Sequence, residues 1–194
     1  LRYTLNRIKP TRCIIVFDGK GGAKRRRKLY PEYKGNRRVK QSFNRNVDWG
    51  TAPQDEDESM KLQLGRLIRY LEELPVSIVS IDYTEADDII AALCGELEFD
   101  NGKTLILSGD KDFIQLQKFR NVTQYSPITK KFVNGVDPDI YLSEHVLKGD
   151  SSDGIPNVLS PDNTFVDGLR QKPLSKKKIQ AMVEGDFPND EIRR

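Results

Sequence analysis

Short apolar runs alternate with helical patterns along the chain. The runs of strand length cover residues 13–17, 76–81, 104–107 and 122–125. The first three are β-rich or continuously apolar, which is typical of buried parallel strands. Between them, apolar residues recur near helical spacing over residues 60–74 and 85–98. Strands that alternate with helices predict βαβ units, and therefore an α/β fold in which helices flank a parallel sheet.

Beyond the fourth run the pattern changes. Residues 127–136 predict a turn or hairpin, and residues 138–147 predict a helix. From residue 149 the composition is polar and rich in Gly and Pro, until a lysine-rich helical segment at 175–183. We therefore place a domain boundary near residue 143, between a domain 1–142 and a C-terminal region 143–194.

Composition supports a soluble protein with one main core. The chain has 194 residues, with 37% hydrophobic and 31% charged residues, and no apolar run approaches the roughly 18 residues of a membrane span. Cys13 and Cys94 lack any CxxC or Cys/His spacing, so we expect core thiols in a reducing compartment. These features predict a cytoplasmic protein without a membrane partner.

Charge is unevenly distributed, although the net charge is only +3. Residues 20–40 contain ten Lys or Arg and one acid, Glu32, which makes a local cationic stripe. The block of acids at 55–58 lies close to Gly50 and Pro53, and we expect a solvated, mobile loop there. An ordinary solvated surface is the alternative for both blocks.

Carboxylates follow three of the predicted strands. In open α/β sheets, ligands bind beyond the carboxyl ends of the strands. Six carboxylates converging there would repel one another and raise each other's pKa unless a cation intervenes. Oxygen ligands with almost no histidine favour Mg²⁺ or Mn²⁺ over Zn²⁺. The six are Asp18, Glu85, Asp87, Asp88, Asp110 and Asp112.

Each acid also has a simpler explanation. Thr84 can cap a helix with Asp87 completing a capping box, acids at 110 and 112 can cap a short helix at 111–117, and Asp18 can sit in a turn. Asp150 and Asp153 resemble turn formers, but beside the other six they are candidate ligands of a second metal. The single histidine, His145, is expected to be structural or at the surface.

Five motifs together resemble the 5′-nuclease family, which includes flap endonucleases, the 5′-exonuclease domain of bacterial DNA polymerase I and the ribonuclease H of T-even bacteriophages. VFDGKGG, YPEYKGNR, YTEADDIIA, SGDKDFIQL and GDSSDGIP occur in the family's order within residues 12–156. The segment QKFRNVTQYSPITKKFV is most similar to the T-even phage branch. The resemblance implies a PIN-like parallel sheet with a mixed edge and, if the gene is a phage's, a location in the host cytoplasm.

The resemblance also implies roles for individual residues. The metal positions match Asp18, Glu85, Asp87, Asp88, Asp110, Asp112, Asp150 and Asp153. The catalytic groups are Asp18, Asp110 and the basic pair at the scissile phosphate, Lys34 and Arg37. The nucleic-acid contacts are Lys20, Lys24, Arg25, Arg26, Arg27, Tyr33, Lys34, Arg37, Lys176, Lys177 and Lys178. Two or more Mg²⁺ or Mn²⁺ ions would neutralise charge during phosphodiester hydrolysis.

An arch and a C-terminal element are the DNA-binding parts that the resemblance implies. The arch or clamp would span about residues 20–59 and accept a 5′ single strand, with Lys34 and Arg37 on one helix face. Tyr30, Tyr33 and Phe43 would stack on unpaired bases. A helix-turn-helix-like element after Asp153 would hold the duplex by its backbone.

Two features depart from the family pattern. A long stretch at 157–173 replaces a compact Gly-rich hairpin, which leaves a bound K⁺ unsupported. The family's first strand ends in a metal-binding Asp that would precede Leu1. We expect an upstream strand to supply it, and without it we expect the chain to bind DNA better than it cuts it.

The function implied is a monomeric, metal-dependent 5′ to 3′ exonuclease and flap endonuclease with ribonuclease H activity. Its substrates would be branched DNA and RNA–DNA hybrids with a 5′ flap or end, cut for primer removal in replication. Single-stranded-DNA-binding or clamp proteins of a replisome would be its partners. The alternatives are a non-catalytic module that binds branched DNA and a PIN-type ribonuclease, which would lack the arch and the element after the site.

Overall fold

The computed structural model describes residues 2–35, 53–99 and 102–185 of the chain. Its helices are α1 (Arg2–Ile8), α2 (Lys24–Leu29), α3 (Pro53–Glu72), α4 (Ala86–Phe99), α5 (Pro138–Lys148) and α6 (Lys176–Val183), with a 3-10 helix at Lys111–Lys118. Its strands are β1 (Ile14–Phe17), β2 (Ser77–Ser80), β3 (Thr104–Leu107), β4 (Val122–Ser126) and β5 (Lys131–Phe132). The predicted α/β alternation is therefore confirmed.

The strands pair as two small sheets within the described residues. Strands β1 and β2 are parallel, with Ile14 opposite Ser77. Strands β3 and β4 are also parallel, with Thr104 opposite Val122, and β5 adds an antiparallel edge to β4. The parallel pairing and the hairpin that follows β4 were both predicted, whereas the expected single sheet is replaced by two sheets among the described strands. The antiparallel β5 gives the second sheet its mixed edge.

The chain forms two compact units. The first comprises residues 1–22 and 39–86, and the second comprises residues 23–38 and 87–194. Each unit is compact in space and consists of two separate segments of the chain. The predicted boundary near residue 143 concerns a different division and stays a prediction.

In the first unit, β1 leads into a turn that requires glycine. A Cβ atom on Gly19 would lie 1.7 Å from the carbonyl oxygen of Ile81. The Gly19 amide donates a hydrogen bond of 3.0 Å to the carbonyl of Thr84. Only a residue without a side chain allows this close approach, which explains the glycine after Asp18 in the first motif.

The second unit contains two hydrophobic clusters. One lies between α4, β3, β4 and the 3-10 helix, and its buried members are Cys94, Ile106, Phe113, Leu116 and Val122. The other joins α5 to α6 through Leu147, Ile179 and Met182. Cys94 is a buried free thiol as predicted, and Cys13 is a half-buried free thiol. These clusters fix the strand ends and helix ends from which the site is built.

Two features of the fold differ from the sequence-based expectations. The acidic block at 55–58 lies inside α3, so the prediction of a loop there is wrong. Pro53 at the helix start and acids in the first turns favour helix, because proline fits the first helical position and the positive end of the helix dipole attracts carboxylates. Helix α1 was not predicted, and α2 lies in the segment of about residues 20–59 that was expected to form a helical arch. Across the described residues, no helix has the length and apolar content that a membrane crossing requires.

Candidate active site

An open cleft of about 520 Å³ lies within the second unit. Its lining includes the basic Arg26, the imidazole of His145 and six carboxylates. Five of these carboxylates were predicted from the sequence, and Asp162 was not. The six are Asp87, Asp88, Asp112, Asp150, Asp153 and Asp162.

The turn after β3 is held by Asp110 and Gln124. The Asp110 carboxylate accepts a 3.0 Å hydrogen bond from the amide of Asp112 and so caps the 3-10 helix. The Gln124 side chain, 0% exposed, donates 2.6 and 3.1 Å hydrogen bonds to the backbone carbonyls of Asp110 and Ser108. The backbone that carries Asp112 is thereby held by hydrogen bonds with two side chains, those of Asp110 and Gln124.

The second acidic motif forms a tight turn at the end of α5. Gly149 ends the helix with φ of 66°, a left-handed value that favours glycine. Asp150 then accepts hydrogen bonds at one oxygen, Oδ1, from the amide and hydroxyl of Ser152 and from the amide of Asp153. The motif closes through a bridge between Asp150 and Ile155.

These two turns and α5 bring three metal-binding groups together. One ligand atom each from Asp112, His145 and Asp150 lie within 4.8 Å of one another. The Nε2 atom of His145 is 3.4 Å from Oδ1 of Asp112, and the imidazole stacks on Tyr141 with ring centroids 5.6 Å apart. Two carboxylates and an imidazole are a donor set that suits a divalent cation.

The protonation behaviour of the two carboxylates differs. Burial, followed by repulsion from Asp110, raises the pKa of Asp112, although His145 opposes this effect. Burial also acts to raise the pKa of Asp150, but the hydrogen bonds from Ser152 and Asp153 outweigh it, so that pKa is lowered. Burial and repulsion by Asp110 thus both disfavour the charged form of Asp112, and a cation bound nearby would oppose both effects.

Arg26 provides positive charge in the lining of the cleft. Its guanidinium forms two hydrogen bonds with Asp88, at 2.8 and 3.0 Å, and a third of 3.4 Å with Asp87. Helix α2 of the cationic stripe is thus attached to the first acids of α4. A basic motif and an acidic motif of the sequence therefore meet in this cleft.

Tyr33 and Lys34 lie in the turn that follows α2. The amide of Lys34 donates a 2.7 Å hydrogen bond to the carbonyl of Asp153, and its Nζ lies 4.8 Å from the centroid of the Tyr33 ring. Lys34 has φ of 57°, so the expectation that it shares a helix face with Arg37 is wrong for Lys34, because a left-handed residue interrupts an α-helix. Arg37 and Phe43 lie outside the described residues.

Tyr33 is 5% exposed, so little of its ring is available for stacking on a base. The Arg26 guanidinium is 5.9 Å from the ring centroid, and Nε of Arg27 donates a hydrogen bond to the Tyr33 carbonyl. In this structure the ring supports two cations. Its predicted contact with nucleic acid stays a prediction.

Two predicted metal ligands belong to the first unit. Oδ1 of Asp18 accepts a 2.7 Å hydrogen bond from the amide of Ala86, so this carboxylate binds the N-terminus of α4. Glu85, the preceding residue, is 5% exposed. A joint metal site of Asp18 and Glu85 with the acids of the second unit remains a prediction.

The remaining predicted basic residues lie on exposed segments or in the stripe. Lys20 is exposed on the turn after β1, and Lys24, Arg25 and Arg27 belong to α2. At the other end of the chain, the amide of Lys178 donates to the hydroxyl of Ser175, which caps α6. Lys176, Lys177 and Lys178 form the exposed first turn of that helix.

Three residues at the site were not predicted from the sequence to be functional. His145 was expected to be structural or at the surface, whereas its imidazole meets Asp112. Gln124 and Asp162 were not singled out. A polar residue in an apolar strand run was a usable signal for Gln124, but none marked Asp162.

The fold and the cleft define an α/β protein whose strand ends and helix ends carry a candidate divalent-metal centre beside a basic helix. The chain belongs to the 5′-3′ exonuclease family, because the family model described as "5'-3' exonuclease, N-terminal resolvase-like domain" matches residues 1–145. This membership confirms the resemblance seen in the motifs.

Individual relatives are named nucleases. The chain is 31% identical over 178 residues to the ribonuclease H of Enterobacteria phage T4, covering 89% of this chain and 56% of that protein. It is 32% identical over 154 residues to a 5′-3′ exonuclease of Buchnera aphidicola, covering 76% and 48%. The chain thus spans about half the length of these two relatives.

Solved structures support the fold. A phage T5 5′-exonuclease with bound zinc ions has a TM-score of 0.63 at 18% identity, covering 95% of this chain and 73% of that one. A phage T5 flap endonuclease in complex with DNA and metal ions has a TM-score of 0.62 at 19% identity, with the same coverage. At these identities the similarity concerns the fold.

Proposed function

We propose that this chain is the catalytic part of a divalent-metal-dependent 5′-nuclease, a phosphodiesterase that acts near 5′ ends. The observation that carries the proposal is the cleft in which Asp112, His145 and Asp150 converge while Arg26 binds the neighbouring acids. Family membership supports the same activity. A site for charge neutralisation beside fixed cations is what hydrolysis of a phosphodiester needs.

Mg²⁺ or Mn²⁺, in two or more copies, is the proposed cofactor. Asp112 and Asp150, which have ligand atoms within 4.8 Å of each other, would hold one ion. Asp87, Asp88, Asp110 and Asp153, with Asp18 and Glu85, are proposed to complete the metal-binding set. When bound, such ions polarise the phosphate and stabilise negative charge as it develops.

The chain's own groups would then orient the phosphate. Lys34 is anchored by its amide to the turn that carries Asp153, so its ammonium group extends from a fixed point beside the acids. We propose that Lys34, with Arg37, stabilises the charge of the reacting phosphate. Asp18 and Asp110 would act through the metal, each held by a hydrogen bond from a backbone amide.

Nucleic acid would be bound by two groups of basic residues. Residues 20–59 are proposed to form the arch that accepts a 5′ single strand, using Lys20, Lys24, Arg25 and Arg27. The pair α5–α6 would hold duplex DNA through Lys176, Lys177 and Lys178 at the start of α6, where backbone amides also favour phosphate. On this proposal, residues 1–142 are catalytic and residues 143–194 bind the duplex.

The proposed substrates are branched DNA and RNA–DNA hybrids with a 5′ flap or end. This proposal is supported by the names of relatives, a ribonuclease H and a 5′-3′ exonuclease, and by the DNA complex of the phage T5 flap endonuclease. Primer removal in replication, in contact with clamp or single-stranded-DNA-binding proteins, is the cellular role that fits such substrates. The protein would act as a monomer.

A flap-cleavage assay tests the proposal. The full-length protein is incubated with a 5′-labelled flap or an RNA-primed duplex and Mg²⁺, and release of labelled product is followed. We expect cleavage that falls at least about 100-fold in a variant with Asp110→Asn and Asp112→Asn. The matched control is Asp139→Asn, an exposed acid on α5 outside the cleft lining.

DNA binding is measured in parallel by fluorescence anisotropy in Ca²⁺. Unchanged cleavage in the double variant would exclude the proposed site. Tight binding of the flap with no cleavage in any divalent metal would instead favour the non-catalytic DNA-binding module.

A further inference from the structure

The candidate metal centre contains a nitrogen donor as well as oxygen donors. His145 projects from the last turns of α5, and Asp150 follows on the tight turn at the end of the same helix. Asp112 reaches the same place from the first turn of the 3-10 helix that follows β3. Two segments that are remote in sequence therefore place one imidazole and two carboxylates within 4.8 Å of one another.

The separation of His145 and Asp112 suits two ligands of one ion. Ligand atoms with bonds of about 2.1 Å lie about 3.0 Å apart when adjacent around an octahedral ion and about 3.4 Å apart around a tetrahedral ion. The observed distance from Nε2 to Oδ1 is 3.4 Å. Both atoms reach bonding positions with shifts of a few tenths of an ångström at most.

The orientation of the imidazole is fixed by its surroundings. The ring is stacked on Tyr141, one helical turn earlier, with an angle of 11° between the ring planes. A side chain held in this way loses little entropy when it binds a metal.

We propose that His145 is a metal ligand, binding through Nε2 the ion that Asp112 and Asp150 hold. The inference rests on the proposed function, which supplies the metal, and it adds a preference. Mg²⁺ favours oxygen ligands, whereas imidazole increases affinity for Mn²⁺, Co²⁺ and Zn²⁺. This site therefore prefers Mn²⁺ to Mg²⁺ more strongly than a site of carboxylates alone.

Because His145 is the single histidine of the chain, an imidazole signal can be assigned to it directly. Mn²⁺ is added to the full-length, tag-free protein, and electron spin-echo envelope modulation detects any imidazole nitrogen bound to the ion. Residues beyond this chain that add a histidine are controlled by the variant His145→Gln. We expect nitrogen modulation in the wild type and none in His145→Gln.

Affinity measured by calorimetry supplies the second readout. In His145→Gln we expect Mn²⁺ affinity to fall about tenfold or more and Mg²⁺ affinity to change by less than about threefold. Urea denaturation without metal controls for folding, and Asp139→Asn controls for a change of charge on α5.

The outcomes separate this inference from the proposed function. Absence of nitrogen modulation in a wild-type protein that cleaves the flap with Mg²⁺ would overturn the ligand role and leave the nuclease intact. An equal loss of Mn²⁺ and Mg²⁺ affinity in a folded His145→Gln protein would also overturn it. Nitrogen modulation in a protein that cuts no substrate would support the ligand and reject the nuclease.

Discussion

Gln124 is predicted to position the metal-binding turn while contributing little net stability. Its buried amide nitrogen donates to the carbonyls of Ser108 and Asp110, whereas its Oε1 has no hydrogen-bond partner among the described residues. Because both neighbouring carbonyls are hydrogen-bond acceptors, the Gln124 side chain must direct its nitrogen, and not its oxygen, toward them. The side chain therefore uses its donors and leaves its acceptor unsatisfied.

The variant Gln124→Met keeps the volume of the side chain and removes both donors. Loss of two hydrogen bonds costs about 1 kcal/mol each, and removal of a buried, unsatisfied oxygen returns about 1–3 kcal/mol. We therefore expect the free energy of unfolding to change by at most about 1 kcal/mol. The turn that carries Asp110 and Asp112 loses its support, and support of this kind is typically worth a factor of about 10–100 in metal affinity.

Two measurements on the same protein check this prediction. Urea denaturation in EDTA gives the free energy of unfolding, and calorimetric titration with Mn²⁺ gives the affinity. Thr123→Val is the control, because Thr123 is the neighbouring, exposed residue of β4. Unchanged Mn²⁺ affinity in Gln124→Met would refute the positioning role, and a loss of stability above about 3 kcal/mol would refute the accounting of hydrogen bonds.

Three further predictions concern other parts of the second unit. Gly149→Ala should destabilise the protein by at least about 2 kcal/mol in urea denaturation. The added Cβ would lie 2.4 Å from the Pro156 carbonyl oxygen, and residue 149 has a left-handed φ. An unchanged urea midpoint would contradict this prediction. Asp112→Asn should stabilise the metal-free protein at pH 7, by less than about 1 kcal/mol because the side chain is more than a third exposed. A carboxyl whose folded pKa is raised costs stability above that pKa, so the gain should vanish below the ordinary pKa of aspartate; a gain that persists in acid would reject this origin. Arg26→Met should lower the melting temperature of the metal-free protein, because Asp87 and Asp88 lose the Arg26 guanidinium. For the same reason, Mn²⁺ should raise the melting temperature of this variant more than that of the wild type. An equal increase in both proteins would show that the ion pairs of Arg26 do not oppose metal binding.

The strands were predictable because each is a short apolar run with no competing pattern. Residues 104–107 form β3 over their full length, and the other three runs match their strands to within one residue at each end. The acidic block was misassigned because charge alone does not separate a solvated loop from a solvated helix. The position of the acids distinguishes the two, since Pro53 and the acids that follow it together suit the start of α3.

The site was partly predictable for a related reason. Acids that follow strands are visible in sequence, because the sheet topology collects strand ends. His145 was not, because its role depends on packing that brings α5 beside a turn some thirty residues earlier, next to Asp112. A single histidine carries no pattern of its own, and only the three-dimensional neighbours give it a chemical role.

In the sequence, capping and metal binding are alternative explanations of the acids, whereas the structure indicates that the two roles are compatible. Asp18, Asp110 and Asp150 each accept backbone amide hydrogen bonds at Oδ1. A carboxylate has two oxygens and about four acceptor positions, so a cap at one oxygen leaves capacity for a cation. The cap also fixes the side-chain torsions, which reduces the entropy lost when a metal binds. The local role therefore prepares these carboxylates for metal binding, and an Asp→Asn change that keeps the cap should affect metal affinity much more than folding.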